Sequence, residues 1–191
     1  MYTPSKKKKH QVSGAKSLPK KDSWQAWTDG SLRQSRQGND TFGAWAYVLL
    51  NPDGTENHTK ASAVWGTTIS RMELQAIIEV LRAVLDRAEK GTKPAVTLYS
   101  DSQYALKTVL WWLPVWQKSG WIRASGESVK NQDLMEILAD LREKVSLTGW
   151  HVKSHSGNKN NERADGLCQT LTRQMESGKL KKPIGIQLKP G

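Results

Sequence analysis

Residues 95–104 read AVTLYSDSQY, and this stretch decides the architecture. Ala95 to Ser100 is a short apolar run of the length and composition of a buried strand. It ends at Asp101, from which a helical pattern continues to Trp112 and is closed by Pro114. Immediately upstream, Ile77, Leu81, Val84 and Ala88 fall on one face of an amphipathic helix over Ser70–Glu89. Strand, helix, strand units need right-handed crossovers, which lay helices over a partly parallel sheet.

Further upstream the period changes to that of strands. Ser23–Asp29 (SWQAWTD) is rich in aromatics and ends at Gly30. Gly43–Leu50 (GAWAYVLL) is apolar throughout, Asn51-Pro52-Asp53-Gly54 supplies turn chemistry, and His58–Thr67 alternates. Three strands on short turns predict an antiparallel meander. Downstream of Pro114, an irregular insert runs to Lys130. Leu134, Ile137, Leu138 and Leu141 then mark a helix over Lys130–Val145, Thr148–Lys153 reads as a strand, and Glu162–Met175 as a last helix. The expected fold is α/β: a five-stranded mixed sheet, three antiparallel strands followed by parallel additions, with helices on both faces.

The chain has 191 residues, a formal charge of +11 and a mean hydropathy of −0.64. That length suits one domain with tails: a disordered basic tail at 1–22, a folded domain at 23–175 and a basic tail at 176–191. No apolar run approaches the roughly 20 residues a membrane-spanning helix needs, so no membrane partner is expected. Cys168, the single cysteine, can close no intrachain disulfide and supply no cysteine zinc cage, which excludes disulfide scaffolds and zinc fingers and suits a reducing cytoplasm. Residues 1–22 hold seven Lys against one Asp, a net +6, and residues 173–191 a net +4, while the body is nearly balanced. A polyanionic partner is therefore argued mainly from the tails.

Four acids stand out, each with an ordinary reading. Asp29-Gly30 could form a hairpin turn, and Ser70-Arg71-Met72-Glu73 matches a capping box. Asp101 could be an N-cap, and Asp165 part of a solvated helix face. Their positions weigh otherwise. Asp29 ends the first strand and Asp101 the fourth, Glu73 opens the first long helix, and Asp165 lies in the first turn of the last. If the first and fourth strands are parallel neighbours, both acids meet at the carboxyl edge where ligands bind in open α/β sheets. Clustered carboxylates repel unless a cation neutralises them, and hard oxygen donors call for Mg²⁺ or Mn²⁺.

Five blocks bring a resemblance. Thr28-Asp29-Gly30-Ser31, Arg71-Met72-Glu73-Leu74, Ser100-Asp101-Ser102-Gln103-Tyr104, Val152-Lys153-Ser154-His155-Ser156-Gly157 and Asn161-Glu162-Arg163-Ala164-Asp165 resemble, in order and spacing, the signatures of the ribonuclease HI family over about residues 23–175. The resemblance implies an endonuclease that cuts the RNA strand of RNA/DNA hybrids and leaves 5′-phosphate and 3′-hydroxyl ends. Asp29, Glu73, Asp101 and Asp165 would be both catalytic and metal-binding, holding two Mg²⁺ ions, with Mn²⁺ as a substitute. His155 would be a further catalytic residue, moving protons or aiding product release. Ser31 and Gln103 would meet 2′-hydroxyls, and Thr68 and Asn131 a DNA phosphate. The insert, with Trp112, Trp116, Lys118, Gly120 and Trp121, resembles the substrate-binding protrusion of bacterial members, its tryptophans building the arm and its cations touching phosphate. A monomer is expected.

The chain departs from the family at Leu32–Asn39, where a glycine-rich loop is usual, at Ile69-Ser70, where amides often stand, and at Met135, often Trp. Three competing readings are a non-cleaving hybrid-binding module, a DNA-acting nuclease of the same superfamily and a reverse-transcriptase fragment. The retained acids and His155 weigh against the first, and the SDSQY and VKSHSG blocks against the second.

Overall fold

A computed structural model describes residues 22–35 and 40–181; residues 1–21 of the expected tail at 1–22, residues 182–191 of that expected at 176–191 and the loop segment 36–39 lie outside the described residues, whereas Glu176 still belongs to the last helix. Strands β1 (Trp24–Gln34), β2 (Thr41–Leu50) and β3 (Glu56–Trp65) form the antiparallel meander. Helix α1 (Ile69–Arg87) leads to β4 (Ala95–Ser100), which pairs in parallel with β1. After β4 come α2 (Gln103–Lys107), a π-helical turn (Thr108–Trp112), α3 (Leu113–Lys118) and α4 (Gln132–Glu143). Strand β5 (Ser146–His151) then pairs in parallel with β4, and α5 (Lys159–Glu176) follows. The sheet order is β3-β2-β1-β4-β5.

Alternation along the strands divides the side chains between two faces. Ala26, Trp45, Tyr47, Leu49, Val96 and Leu98 join the buried residues of α1 and α4 in the main core. Trp27, Ala44, Ala46 and Val48 turn the other way, onto Ala164 and Cys168 of α5, with Trp27 stacked on Tyr99 at 4.6 Å between ring centroids. Helices thus cover both faces, as expected. No helix of the described residues is long and apolar enough to cross a membrane.

Four local expectations are corrected. Asp29 does not end β1 or occupy a turn, because β1 continues to Gln34 alongside β2. Its parallel pairing with β4 nevertheless stops at Trp27↔Tyr99, so the strand stops at different places on its two edges. Ser70 does not cap α1: Thr68 does, its hydroxyl accepting the Arg71 amide at 3.3 Å, which leaves Glu73 in the second turn and outside any capping box. Asp165 likewise lies in the second turn, because α5 starts at Lys159 on an Asn158 cap.

Pro114 does not stop the helical path either. The Leu113 amide reaches back to the Thr108 carbonyl through the wide π turn, so the proline falls in the first turn of α3, where its missing N–H is not needed. The Val109 carbonyl, deprived of a donor by Pro114, accepts from Arg142 Nε at 2.9 Å.

Candidate active site

The site forms where the parallel β1–β4 pair parts. Beyond Trp27 the β4 edge of β1 is open, which leaves room for Asp29 beside Asp101, the first residue past β4. Gly30 brings in the third acid. A Cβ there would lie 2.7 Å from the Glu73 backbone nitrogen and 2.9 Å from the Met72 carbonyl carbon, so only glycine lets α1 sit this close to β1. Helix α5 brings the fourth: Ala164 and Cys168 anchor it in the core on either side of Asp165, and the Cys168 thiol donates to the Asp29 carbonyl at 3.5 Å.

The four carboxyl groups act on one another. Asp29 is only 8% exposed, and its carboxyl is pushed up to about 7 by burial first, then by the charges of Asp101, Asp165 and Glu73, against the opposing Gly30 amide. Glu73 is also raised, by burial and by Asp101, despite the hydrogen bond it receives from Ser102. Among the described residues no three acidic, imidazole or thiol side chains already converge as a metal cage. The carboxylates share a common field without closing on a single point.

Three of the acids carry a neutral donor. Ser102 Oγ donates to Glu73 Oε2 at 2.6 Å, and Ser154 Oγ to Asp101 Oδ2 at 2.5 Å. Gln169 Nε2 lies 2.9 Å from both oxygens of Asp165, while its own carbonyl accepts from Arg173 at 2.9 Å. No Lys or Arg among the described residues makes an ion pair with any of the four. Neutral donors orient a carboxylate without cancelling its charge, so the attraction for a cation is kept. Four carboxylates set in this way can hold hard divalent ions.

His155 stands in the 152–158 connection at φ 51°, its side chain 74% exposed and its Nδ1 3.8 Å from Asp165 Oδ2. The Ser31 hydroxyl is buried with no hydrogen-bond partner among the described residues. Gln103 opens α2 on the surface, its carbonyl accepting from Lys107 at 3.4 Å. Exposed Thr68 caps α1. Asn131, at φ 57° before α4, accepts from Arg71 at 3.3 Å, and Arg71 in turn forks onto both oxygens of Asp133 at 2.9 and 2.6 Å.

In the insert, the Trp112 ring lies between Tyr104 and Trp116, with centroids 6.1 and 5.5 Å away. Trp116 and Trp121 pack half-buried against the main core, and Lys118 is exposed at the end of α3. Sequence reasoning missed Ser102, Ser154 and Gln169 as partners of the acids. The i, i+4 spacing of Asp165 and Gln169 was a signal for the last. Ser154 had none, because its reach depends on the loop.

Comparisons with known proteins agree with this geometry. The family model described as RNase H matches residues 21–172. A protein named Ribonuclease H from Cyanothece sp. (strain PCC 7425 / ATCC 29141) is 39% identical over 145 residues, covering 76% of this chain and 86% of that protein. Among solved structures, LC9-RNase H1, described as a type 1 RNase H with the type 2 active-site motif, has a TM-score of 0.57 at 26% identity, over 81% of this chain and 74% of that one. LC11-RNase H1 in complex with an RNA/DNA hybrid has a TM-score of 0.56 over 77% of this chain and 94% of that one; at 19% identity it bears on the fold alone.

Proposed function

The chain belongs to the ribonuclease H family, and from that premise we propose that it is an endonuclease hydrolysing the RNA strand of RNA/DNA hybrids. It does so with two divalent cations, Mg²⁺ or in its place Mn²⁺, and leaves 5′-phosphate and 3′-hydroxyl ends. The observation that carries this reading is the Asp29 carboxyl, raised to about 7 by burial and by three neighbouring acids, with no Lys or Arg of the described residues paired to any of the four. So much uncompensated negative charge around one buried acid serves a cation and no packing purpose.

The donor set fits hard divalent ions, since Asp29, Glu73, Asp101 and Asp165 offer only oxygen. When bound, such ions activate water and stabilise the charge that develops on the phosphoryl oxygens. Asp29, at the centre, would hold the ions; Glu73, Asp101 and Asp165 would share them, steadied by Ser102, Ser154 and Gln169. His155, open to solvent beside Asp165, would exchange a proton at its imidazole during the cut or the release of product.

Gln103, exposed at the start of α2, would meet a 2′-hydroxyl that marks RNA, with Ser31 joining it once its buried hydroxyl turns outward, and Thr68 and Asn131 would meet a phosphate of the DNA strand. Trp112, Trp116 and Trp121 would shape the arm that brings Lys118 to the duplex. The catalytic unit is residues 23–175, acting as a monomer in the cytoplasm, with the basic segments 1–22 and 176–191 attracting the polyanion.

A labelled-strand assay on RNA/DNA, RNA/RNA and DNA/DNA duplexes, with Mg²⁺, Mn²⁺ or EDTA, tests the proposal. Cleavage confined to the RNA of the hybrid, abolished by EDTA and leaving 5′-phosphates, is the expected result. Cleavage of DNA/DNA at a comparable rate, or cleavage that survives EDTA, would overturn it.

A further inference from the structure

The connection 152–158 holds His155 in the left-handed region at φ 51°, a backbone conformation kept by a residue with a Cβ only where its surroundings hold it. Inside its ends, where the Val152 amide donates to the Ser100 carbonyl at 3.0 Å and Asn158 caps α5, three hydrogen bonds do so. Ser156 Oγ donates to the Lys153 carbonyl at 2.5 Å within the loop, and the Gly157 amide donates to Glu162 Oε1 at 2.9 Å at the start of α5. The third leaves the loop for a distant part of the chain: Ser154 Oγ donates to Asp101 Oδ2 at 2.5 Å, just past β4.

Consecutive residues therefore reach different acids, Ser154 touching Asp101 and His155 lying 3.8 Å from Asp165. The imidazole itself is 74% exposed and makes no hydrogen bond among the described residues, so its place is set by the loop that carries it. We propose that Ser154 is a positioning residue, its hydroxyl latching this loop to Asp101 and thereby holding the His155 imidazole over the acidic cluster. The inference rests on the nuclease reading for its catalytic consequence. Within that reading the latch governs the rate of the step His155 serves and leaves hybrid binding alone, because the Ser154 hydroxyl is engaged with Asp101.

Two measurements test it. In the metal-free protein, ¹⁵N relaxation of the His155 amide should give an order parameter of about 0.85, falling below about 0.6 in Ser154→Ala and recovering in Ser154→Thr, which keeps a hydroxyl. An order parameter unchanged by Ser154→Ala would overturn the latch, whatever the enzyme cuts. In the Mg²⁺-activated protein on a hybrid, Ser154→Ala should lower kcat about tenfold with KM within about twofold. That loss should shrink to about twofold in a His155→Ala background, since only the steadying of Asp101 is then left to lose. A loss that persists in full there would mean Ser154 works through Asp101 alone, and the proposal would fall. The relaxation experiment needs neither metal nor substrate, so a wild-type protein that cut no hybrid would defeat the nuclease reading without being mistaken for failure of the latch.

Discussion

The Ser102 hydroxyl donates to Glu73 Oε2 across 2.6 Å and accepts the Ala105 amide at 3.1 Å, so one oxygen caps helix α2 and steadies an acid carried by helix α1. The double use links the fold to the site. Ser102→Ala should cost about 0.5–2 kcal/mol through the lost cap. It should also raise the Glu73 carboxyl further, since the Ser102 bond is what opposes burial there. Thermal unfolding and hybrid cleavage measured together decide the matter: a lower Tm with an unchanged cleavage rate would show that Glu73 has no need of this partner.

Burial and three acids raise Asp29 from an ordinary carboxylate value to about 7, and this makes a signed prediction for stability. A folded-state pKa above the unfolded one favours the native state fully below the unfolded pKa, and the advantage is lost as pH rises through the folded pKa. Asp29→Asn, which cannot ionise, should therefore be more stable than the wild type by on the order of 2–4 kcal/mol at pH 8 in metal-free buffer. The gap should narrow as pH falls through 7 and close near pH 4. Urea denaturation at several pH values measures it, and a gap that did not vary with pH would contradict the assignment.

At Gly30, a Cβ would meet backbone atoms of Glu73 and Met72 at 2.7 and 2.9 Å, neither of which can rotate aside. Gly30→Ala should force α1 away from β1, cost about 1–3 kcal/mol of stability and displace Glu73 from the other acids. Chemical denaturation and cleavage should fall together; native stability in the variant would show that the contact is slack.

Much of this arrangement was legible in the sequence. The β4 run stood out because a strand buried on both faces is apolar throughout, and the α1 face because its period is helical. What escaped depends on partners distant in the chain. Asp29 could not be recognised as mid-strand, because its pairing with β4 ends at Trp27 while its pairing with β2 goes on to Gln34. Pro114 looked like a stop because the π turn that accommodates it has no local signature. The four acids stand out as candidates from their motif blocks, whereas the partnership of Ser154 with Asp101 shows only once a loop joins residues 53 apart in the chain.

The basic segment 1–22, with its net +6, should matter through salt. Its deletion should weaken hybrid binding at about 50 mM salt and flatten the dependence of log Kd on log salt by several units, as counterion release requires. Parallel salt slopes for full-length and shortened proteins would remove the segment from binding.

The account centres on four carboxylates sharing one task. Its most direct test is Mg²⁺-dependent cleavage of a labelled RNA/DNA hybrid by the wild type and by Asp101→Asn, with Tm recorded for both. The expected result is RNA-strand cleavage by the wild type and a loss of about a hundredfold or more in the variant, with Tm kept or raised because one repelling charge is gone. Cleavage by Asp101→Asn at the wild-type rate would contradict it.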